Sequence, residues 1–222
     1  MAEPQTRGIF ITFEGIDGCG KSTQLALAQQ WLTQQKVDVV VTREPGGIPI
    51  SEKIRAILLA PEHAEMCNQT ELLLYTAARA QHVAQLIRPA LDNGQIVLCD
   101  RFEAATFAYQ GNGRGFDKKQ ISLVNTFATG GVSPDLTMIF DLTVECASDR
   151  MSRQRATKDR LESNPRSFYE RIREGYLQYA AAHPDSTVLV NASGAMESVA
   201  ADVREHIARK ISVVQGITVK AH

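Results

Sequence analysis

Residues 15–22 read GIDGCGKS, which matches the spacing G-x-x-x-x-G-K-[ST] of a phosphate-binding loop. Glycines at these positions let the backbone turn with its N–H groups pointing inward, toward phosphate oxygens. Lys21 adds a positive charge that can reach the β- and γ-phosphates, and Ser22 supplies a hydroxyl for a magnesium ion. A coincidental glycine-rich turn is the alternative interpretation.

The sequence on either side of the loop favours phosphate binding. An apolar, β-rich run over Ile9–Phe13 precedes the loop, and a helical pattern from Thr23 to Gln35 follows it. A phosphate-binding loop requires strand, loop and helix in this order, because the phosphate lies at the helix N-terminus. The sequence therefore predicts a nucleotide site at this loop.

Five short β-type runs alternate with helical segments along the chain. The runs are Gly8–Phe13, Val37–Thr42, Gln95–Cys99, Leu136–Asp141 and Thr187–Val190, and the helical segments lie near 21–35, 50–59, 69–91, 117–129, 143–156, 165–182 and 196–211. This alternation predicts an α/β fold, a three-layer sandwich with a five-stranded parallel sheet. The 222 residues are expected to form a single domain, with a weakly ordered tail over Ser212–His222.

The bulk composition excludes several classes of protein. A net charge of −1 argues against an extended surface for nucleic acid or membrane. No apolar stretch approaches the roughly 20 residues that span a bilayer, and the N-terminus lacks the pattern of a signal peptide. The four cysteines are scattered and expected to be reduced, as in a cytoplasmic protein, and only Cys19, inside the loop, is a candidate for a reactive thiol.

Charged residues follow the third predicted strand, at the edge of the sheet where ligands bind in such folds. Asp100 ends the apolar run, and a strand-end carboxylate in a fold of this type holds magnesium, directly or through water. Arg101 comes next and can bind a phosphate bidentately. The alternatives are a solvated carboxylate for Asp100 and a structural salt bridge for Arg101.

The helical segment from 69 to 91 carries an aromatic–arginine pair. Tyr75 and Arg79 are four residues apart and share a helix face, so they could stack on a planar base and bind its edge. The other interpretation is an aromatic at the core margin with an arginine reaching to solvent. Asn68 and Glu71 have the spacing of a capping box, and His82 is expected at the surface or behind the site.

Positive charge is concentrated in the segment Arg150–Arg173, which has eight basic and three acidic residues. We interpret about 150–162 as a basic lid that excludes water and brings arginines to a transferring phosphoryl group. A solvated helix face with pairs four residues apart is the alternative for the last three of these arginines, Arg166, Arg171 and Arg173.

Taken together, these stretches resemble the thymidylate kinases of the bacterial type. The matching motifs keep the order of that family between residue 8 and about residue 180, and they are Phe13–Thr23, Thr42–Gly47, Ala77–Arg79, Asp100–Phe102, Ala108–Gly111, Pro134–Thr137 and Asp159–Glu162. The pair T-R-E-P-G-G and D-R-[YFH]…A-Y-Q-G is specific, since adenylate, guanylate and shikimate kinases share the phosphate loop but not these motifs.

The resemblance implies a nucleoside monophosphate kinase that transfers a phosphoryl group from ATP to dTMP, with magnesium, as a homodimer. It implies ATP binding by Gly15, Ile16, Asp17, Gly18, Cys19, Gly20, Lys21, Ser22 and Thr23. It implies dTMP binding by Asp17, Glu44, Arg55, Tyr75, Arg79, Arg101, Thr106, Tyr109 and Gln110. The implied catalytic cations are Lys21, Arg101, Arg153 and Arg155, and the implied magnesium residues are Ser22 and Asp100.

One position distinguishes subtypes within this family, and two features depart from its common pattern. Some members carry an arginine where this chain has Gly18, so the resemblance assigns the missing charge to the lid. Phe102 stands where a tyrosine is common. Ala105 and Thr106 stand where two hydroxyl or amide residues are common, which removes one hydroxyl near the sugar and base pocket.

Two rival functions remain at this point. One is a kinase for another pyrimidine monophosphate such as dUMP, which base contacts by Tyr75, Arg79 and Gln110 would decide. The other is a nucleotide-dependent switch or scaffold. The absence of an Asn-Lys-x-Asp guanine motif counts against a switch, and so does a basic segment suited to two phosphorylated substrates.

Overall fold

Five parallel strands form one sheet in the order β2-β3-β1-β4-β5. The computed structural model describes residues 7–152, 160 and 164–221. The strands are β1 Ile9–Glu14, β2 Val39–Arg43, β3 Ile96–Asp100, β4 Leu136–Asp141 and β5 Thr187–Asn191. The predicted α/β fold with a five-stranded parallel sheet is confirmed, and each strand lies within two residues of its predicted bounds.

Helices cover both faces of this sheet. They are α1 Lys21–Gln34, α2 Pro49–Leu59, α3 Asn68–His82, α4 Arg88–Asp92, α5 Glu103–Thr106, α6 Lys118–Thr129, α7 Val144–Ser152, α8 Arg166–Ala182 and α9 Met196–Gln215. A short 3₁₀ turn lies at Pro61–His63, and two π-helical turns lie at Val83–Ile87 and Phe107–Gly113. In the part of the chain that the structure describes, none of the helices has the length and apolar character needed to cross a membrane.

Strand side chains alternate between two apolar layers. Phe10, Val97 and Cys99 pack on one side of the sheet against Val83 and Ile87. The residues between them point to the other side, toward α1, α8 and α9, and include Ile9, Ile11, Phe13, Ile96 and Leu98. Strands covered on both faces need continuous apolar sequence, which is why these runs were recognisable as strands.

The strand order brings the carboxyl ends of β1, β2 and β3 together. Phe13 pairs with Asp100, which in turn pairs with Arg43 of β2. The ladder continues past the strands, because Arg101 donates its N–H to the Phe13 carbonyl (3.0 Å) and Glu44 donates its N–H to the Asp100 carbonyl (2.9 Å). The phosphate loop and the residues after β2 and β3 therefore meet at one edge of the sheet.

The predicted helix over 69–91 is helical throughout but not uniform. A π-helical turn at Val83–Ile87 separates α3 from α4. Pro89 follows it and has no N–H to donate to the carbonyl four residues earlier, so the wider turn accommodates the missing bond. Asn68 does not cap α3. Cys67 occupies the N-cap position, and its side chain does not cap the backbone of the helix, so the capping-box prediction is wrong.

One helical segment of the structure is not predicted by the sequence pattern. Residues 103–113 form α5 and a π-helical turn that packs against α8. Gly111 and Gly113 are poor helix formers, which hid the pattern. The packing is close at Gly175 of α8, where a Cβ atom would lie 2.9 Å from the Ala108 Cα. The wide turn directs Tyr109 and Gln110 toward the edge of the sheet described above.

The C-terminal segment is packed in the structure, which differs from the predicted weakly ordered tail. Helix α9 continues to Gln215, and the described residues after it fold back on α1 and α9. Val219 is buried in the core. Trp31 donates its Nε1–H to the Lys220 carbonyl (2.9 Å), and Arg204 donates to the Ala221 carbonyl (3.1 Å). A buried apolar side chain and two long-range hydrogen bonds account for the difference.

A buried carboxyl group ends β1. Glu14 is fully buried, and it accepts hydrogen bonds from the Phe102 N–H (2.6 Å) and the Tyr176 hydroxyl (3.2 Å). Burial raises the pKa of Glu14 from 4.5 to about 7, because the nearby Arg101 and Arg79 offset only part of the desolvation. The folded chain therefore holds this proton at a pH where the unfolded chain has released it.

Because the folded chain keeps this proton, the free energy of unfolding is expected to fall as the pH rises. The contribution is complete below pH 4.5 and is lost as the pH rises toward about 7. A difference of this size corresponds to at most ~3 kcal/mol. We expect Glu14→Gln, which mimics the protonated acid, to raise the free energy of urea unfolding relative to the unmodified chain by much more at pH 8 than at pH 5. Glu170→Gln, on the surface of α8, is the control; equal effects of Glu14→Gln at both pH values would contradict the assignment.

Candidate active site

The phosphate loop connects β1 to α1 and forms one wall of a cavity of about 320 Å³. Gly20 has the left-handed conformation (φ 98°) that turns the chain into α1. Lys21 is buried, and its Nζ donates to the Ile16 carbonyl (3.3 Å), so the ammonium group is folded over the loop. Of the nine residues predicted to bind ATP, seven line this cavity: Asp17, Gly18, Cys19, Gly20, Lys21, Ser22 and Thr23.

The other two predicted residues lie behind the loop. Ile16 accepts from Lys21 through its carbonyl, and Gly15 accepts from Arg101 (2.9 Å) in the same way. The far wall of the cavity was not predicted as an ATP site, and it consists of Gln24, Arg150, Met151, Ala192, Gly194, Met196 and Val199. Arg150 donates to the Ala192 carbonyl (3.1 Å), which joins α7 to the loop after β5. The rule that ligands bind at the carboxyl ends of strands could have found this loop.

The fold leaves no space for a side chain at Gly18 and buries the thiol of Cys19. A Cβ atom at Gly18 (φ 81°) would collide with the Ala147 carbonyl oxygen, so α7 leaves no room for an arginine at this point of the loop. Cys19 is buried, and burial raises the pKa of its thiol. Because the thiolate is the reactive form, Cys19 is not an activated cysteine in this conformation.

A second cavity, of about 110 Å³, lies beside the first. Asp17 lines both cavities. The structure brings all nine residues predicted to bind dTMP to this second cavity: Asp17, Glu44, Arg55, Tyr75, Arg79, Arg101, Thr106, Tyr109 and Gln110. Pro45, Leu59, Phe102 and Ala105 complete its lining.

Arg101 occupies the boundary between the loop and the second cavity. Its backbone is left-handed (φ 71°), which is unfavourable for a side chain with a Cβ atom. Its guanidinium donates to the Gly15 carbonyl (2.9 Å), the Asp17 carboxylate (2.7 Å) and the hydroxyls of Tyr176 (2.9 Å) and Tyr109 (3.1 Å). These contacts hold the side chain in one orientation.

Asp17 receives a second hydrogen bond, from the Tyr109 hydroxyl (3.1 Å). Burial acts to raise the pKa of Asp17, but Arg101 and Lys21 lower it well below its ordinary value. Burial acts to lower the pKa of Arg101, but Asp17 raises it well above its ordinary value. Both groups are therefore charged at neutral pH.

Arg79 is buried beneath the second cavity. It donates to the Glu44 carboxylate (2.7 Å), the Thr106 hydroxyl (2.8 Å), the Asn125 side chain (2.5 Å) and the Phe102 carbonyl (2.9 Å). A guanidinium has five N–H groups, so these four bonds to described residues account for all but one of them. Arg79 is thus rigidly oriented and does not extend into solvent.

Glu44 and His82 support Arg79 from below. The two oxygens of Glu44 accept from Arg79 and from His82 Nδ1 (2.9 Å), and His82 Nε2 bonds the Thr42 hydroxyl (2.7 Å). His82 is fully buried, so of the two expected positions it takes the one behind the site. Glu44 lies at the cavity, but both its oxygens already contact protein groups.

Tyr75 and Arg55 form the outer wall of the second cavity. Tyr75 is half-buried one turn before Arg79, so the helical spacing did place both side chains at the same cavity. Arg55, on α2, is half-buried and donates to the Pro45 carbonyl (2.8 Å). Burial lowers the pKa of Arg55, and Arg43 lowers it further.

Ser22 and Asp100 are joined at the edge of the first cavity. The Ser22 hydroxyl donates to Asp100 Oδ2 (2.7 Å), so the strand-end carboxylate and the loop hydroxyl lie at one point. Oxygen ligands of these two kinds, completed by phosphate oxygens and water, suit magnesium. Arg153 and Arg155, the predicted lid arginines, lie outside the described residues.

Comparisons with known proteins agree with this geometry. The family model described as thymidylate kinase matches residues 13–203. A thymidylate kinase from Exiguobacterium sp. strain AT1b is 47% identical over 204 residues, which are 92% of this chain and 96% of that protein. One from Pseudomonas putida strain GB-1 is 48% identical over 196 residues, 88% of this chain and 93% of that protein.

A solved structure is similar throughout. The crystal structure of thymidylate kinase from Ehrlichia chaffeensis has a TM-score of 0.74 and 33% sequence identity, and the match covers 90% of this chain and 99% of that chain. Both the family model and relatives well above 30% identity cover most of the sequence. The chain belongs to the thymidylate kinase family.

Proposed function

We propose that the two adjacent cavities are the donor and acceptor sites for transfer of the γ-phosphoryl group of ATP to dTMP, which yields ADP and dTDP for dTTP synthesis. One observation carries this proposal: Asp17 lines both cavities and accepts a hydrogen bond from Arg101 at their boundary. A transferring phosphoryl group has to cross such a boundary, and a fixed cation beside it lowers the repulsion between two anions.

The protein's contribution to the transfer is positioning and charge. The acceptor is a phosphate monoester dianion that is already nucleophilic, so no strong general base is required. Lys21 serves the donor phosphates, and Arg101 and Arg55 serve the acceptor phosphate. We propose Arg153 and Arg155 as further cations at the transferring group, on the resemblance alone. Magnesium, held by Ser22 and Asp100, would neutralise charge on the β- and γ-phosphate oxygens.

The proposed contacts to the nucleoside follow from the second cavity. Tyr75 stacks on the thymine ring, and the remaining N–H of Arg79 donates to the thymine O4. Asp17 accepts from the 3′-hydroxyl of the sugar, beside Tyr109. Thr106 supplies its hydroxyl where Ala105 has none, and that hydroxyl already accepts from Arg79. Gln110 contacts the base edge.

The test is a coupled assay of ADP release with dTMP, dUMP, dCMP, UMP and AMP as acceptors. We expect rapid release only with an acceptor present, fastest with dTMP. Lys21→Ala and Arg101→Ala should each lower turnover by ~100-fold or more, because each removes charge from the transition state. Circular dichroism should show an intact fold.

Arg166→Ala, which removes an exposed arginine paired with Glu170, is the matched control and should have near-normal turnover. Rapid ADP release that ignores dTMP would favour the nucleotide-switch alternative. Near-normal turnover of a folded Arg101→Ala protein would contradict the counter-charge role.

We further propose that the protein is a homodimer, located in the cytoplasm. Helices α3 and α6 pack together and carry large exposed apolar side chains, namely Leu73 (60% exposed), Leu123 (72%) and Phe127 (91%). Leu123 and Phe127 are four residues apart and share a face of α6, and exposed apolar patches mark protein interfaces. The cytoplasmic location is supported by four free cysteines and by the use of ATP.

The dimer proposal predicts that charge on this face separates the subunits. We expect Leu123→Asp combined with Phe127→Asp to raise the dimer dissociation constant ~100-fold or more, measured by light scattering after size-exclusion chromatography, because buried charges are costly. Val213→Asp, at an exposed apolar position on α9, is the control. A dimer unaffected by the paired substitution would place the interface elsewhere.

A further inference from the structure

Glu71 is a buried carboxylate next to the proposed base site, and no role in the reaction described above uses it. It lies in the first turn of α3 and is 1% exposed. Its Oε1 accepts from Gln110 Nε2 (2.9 Å) and Arg114 Nε (3.2 Å), and its Oε2 accepts from Arg114 (3.2 Å) and Arg160 (2.7 Å). Four donors therefore meet on one carboxylate.

Two arginines hold Glu71 in the charged form. Arg114 lies over the Phe168 ring, with its guanidinium carbon 4.7 Å from the ring centroid. Arg160 also donates to the Leu58 carbonyl (2.8 Å). Burial acts to raise the pKa of Glu71, but hydrogen bonds from Arg114 and Gln110 lower it below its ordinary value. Near the N-terminus of α3, the helix dipole also favours a negative charge.

A carboxylate can only accept hydrogen bonds, and this decides which way the Gln110 amide faces. The NH₂ group of Gln110 must point to Glu71, because the reversed amide would place two acceptors against each other. Gln110 is 2% exposed and lines the second cavity, and its carbonyl Oε1 is the amide atom that does not contact Glu71. An amide held in this way can present its carbonyl oxygen to the cavity as a hydrogen-bond acceptor.

We propose that Glu71 is a positioning residue for base selection: by holding the NH₂ group of Gln110 it presents Oε1 to the base, which selects a pyrimidine with an N3–H donor over cytosine. This inference rests on the proposed function, in which the second cavity binds the acceptor nucleotide. Thymine and uracil carry a hydrogen at N3, whereas neutral cytosine has an acceptor there. Cytosine would thus face Oε1 with a second acceptor.

Arg79 also favours thymine and uracil over cytosine, through the substituent on the ring carbon next to N3. Its remaining N–H matches the O4 acceptor of thymine and opposes the N4 amino group of cytosine. Removal of the Glu71 charge should therefore weaken discrimination rather than abolish it. A polar group buried against the wrong partner costs enough to change relative rates by tenfold or more.

The test is Glu71→Gln, assayed with dTMP, dUMP and dCMP. A glutamine at this position can donate as well as accept, so the Gln110 amide can reverse. We expect the ratio of kcat/KM for dTMP over dCMP to fall about tenfold or more. The ratio for dTMP over dUMP should change less than about twofold, because both bases carry N3–H.

Arg160→Gln is the matched control, since it disturbs the same buried cluster but leaves the bond between Glu71 and Gln110. It should lower the melting temperature and leave the dTMP over dCMP ratio within about twofold of the unmodified chain. If Glu71→Gln does not fold, the double variant Glu71→Gln with Arg160→Gln removes one buried charge of each sign and answers the same question.

The outcomes are distinguishable. An unmodified chain that does not phosphorylate dTMP overturns the proposed function and this inference together. An active chain whose folded Glu71→Gln variant keeps its dTMP over dCMP ratio overturns this inference alone. An equal fall in the dTMP over dUMP ratio also overturns it, because general damage to the cavity then explains the change.

Discussion

The ion pair between Arg101 and Asp17, with a distance of 2.7 Å, is the interaction on which the rest of the site depends. It joins the end of β3 to the phosphate loop after β1, two segments that the parallel sheet places side by side. The backbone of Arg101 has the unfavourable left-handed conformation. The four hydrogen bonds of its side chain offset the cost of this conformation. The pair sets both the shape and the charge of the boundary between the two cavities.

Two clusters of buried, hydrogen-bonded side chains support the lining of the second cavity. One links Arg79, Glu44, His82 and Thr42, and the other links Glu71 with Gln110, Arg114 and Arg160. Each pairs carboxylate with guanidinium in a water-poor environment, where a satisfied network is rigid and a broken one is costly. Gln110 is thus oriented by Glu71, which does not line the cavity, and Glu44 is held against Arg79 by His82, which does not line it either.

Local sequence predicted the parts of this arrangement that follow from short-range rules. The strand runs are apolar because both faces of the sheet are covered, and the four-residue spacing of Tyr75 and Arg79 did place them at one cavity. Glu71 shows the limit of such reasoning. Its spacing from Asn68 predicted a capping box, but partners 39, 43 and 89 residues away decide its role.

The remaining differences between the structure and the predictions from sequence are also explained by contacts between segments that are distant in the chain. The π-helical turn at Phe107–Gly113 is held against α8 by close packing at Gly175, which no pattern within 103–113 reveals. The described residues after α9 are held by hydrogen bonds from Trp31 and Arg204, both distant in sequence. The far wall of the first cavity combines α7 with the segment after β5, and only the assembled sheet brings these together.

A double-mutant cycle on Asp17 and Arg101 tests the central claim most directly. The variants are Asp17→Asn, Arg101→Met and their combination, compared by kcat/KM for dTMP. If the pair acts as one unit, the double variant loses little more than the worse single variant, a coupling of ~1.5 kcal/mol or more. Losses that add within ~0.5 kcal/mol would show that the two residues act independently and would contradict the account.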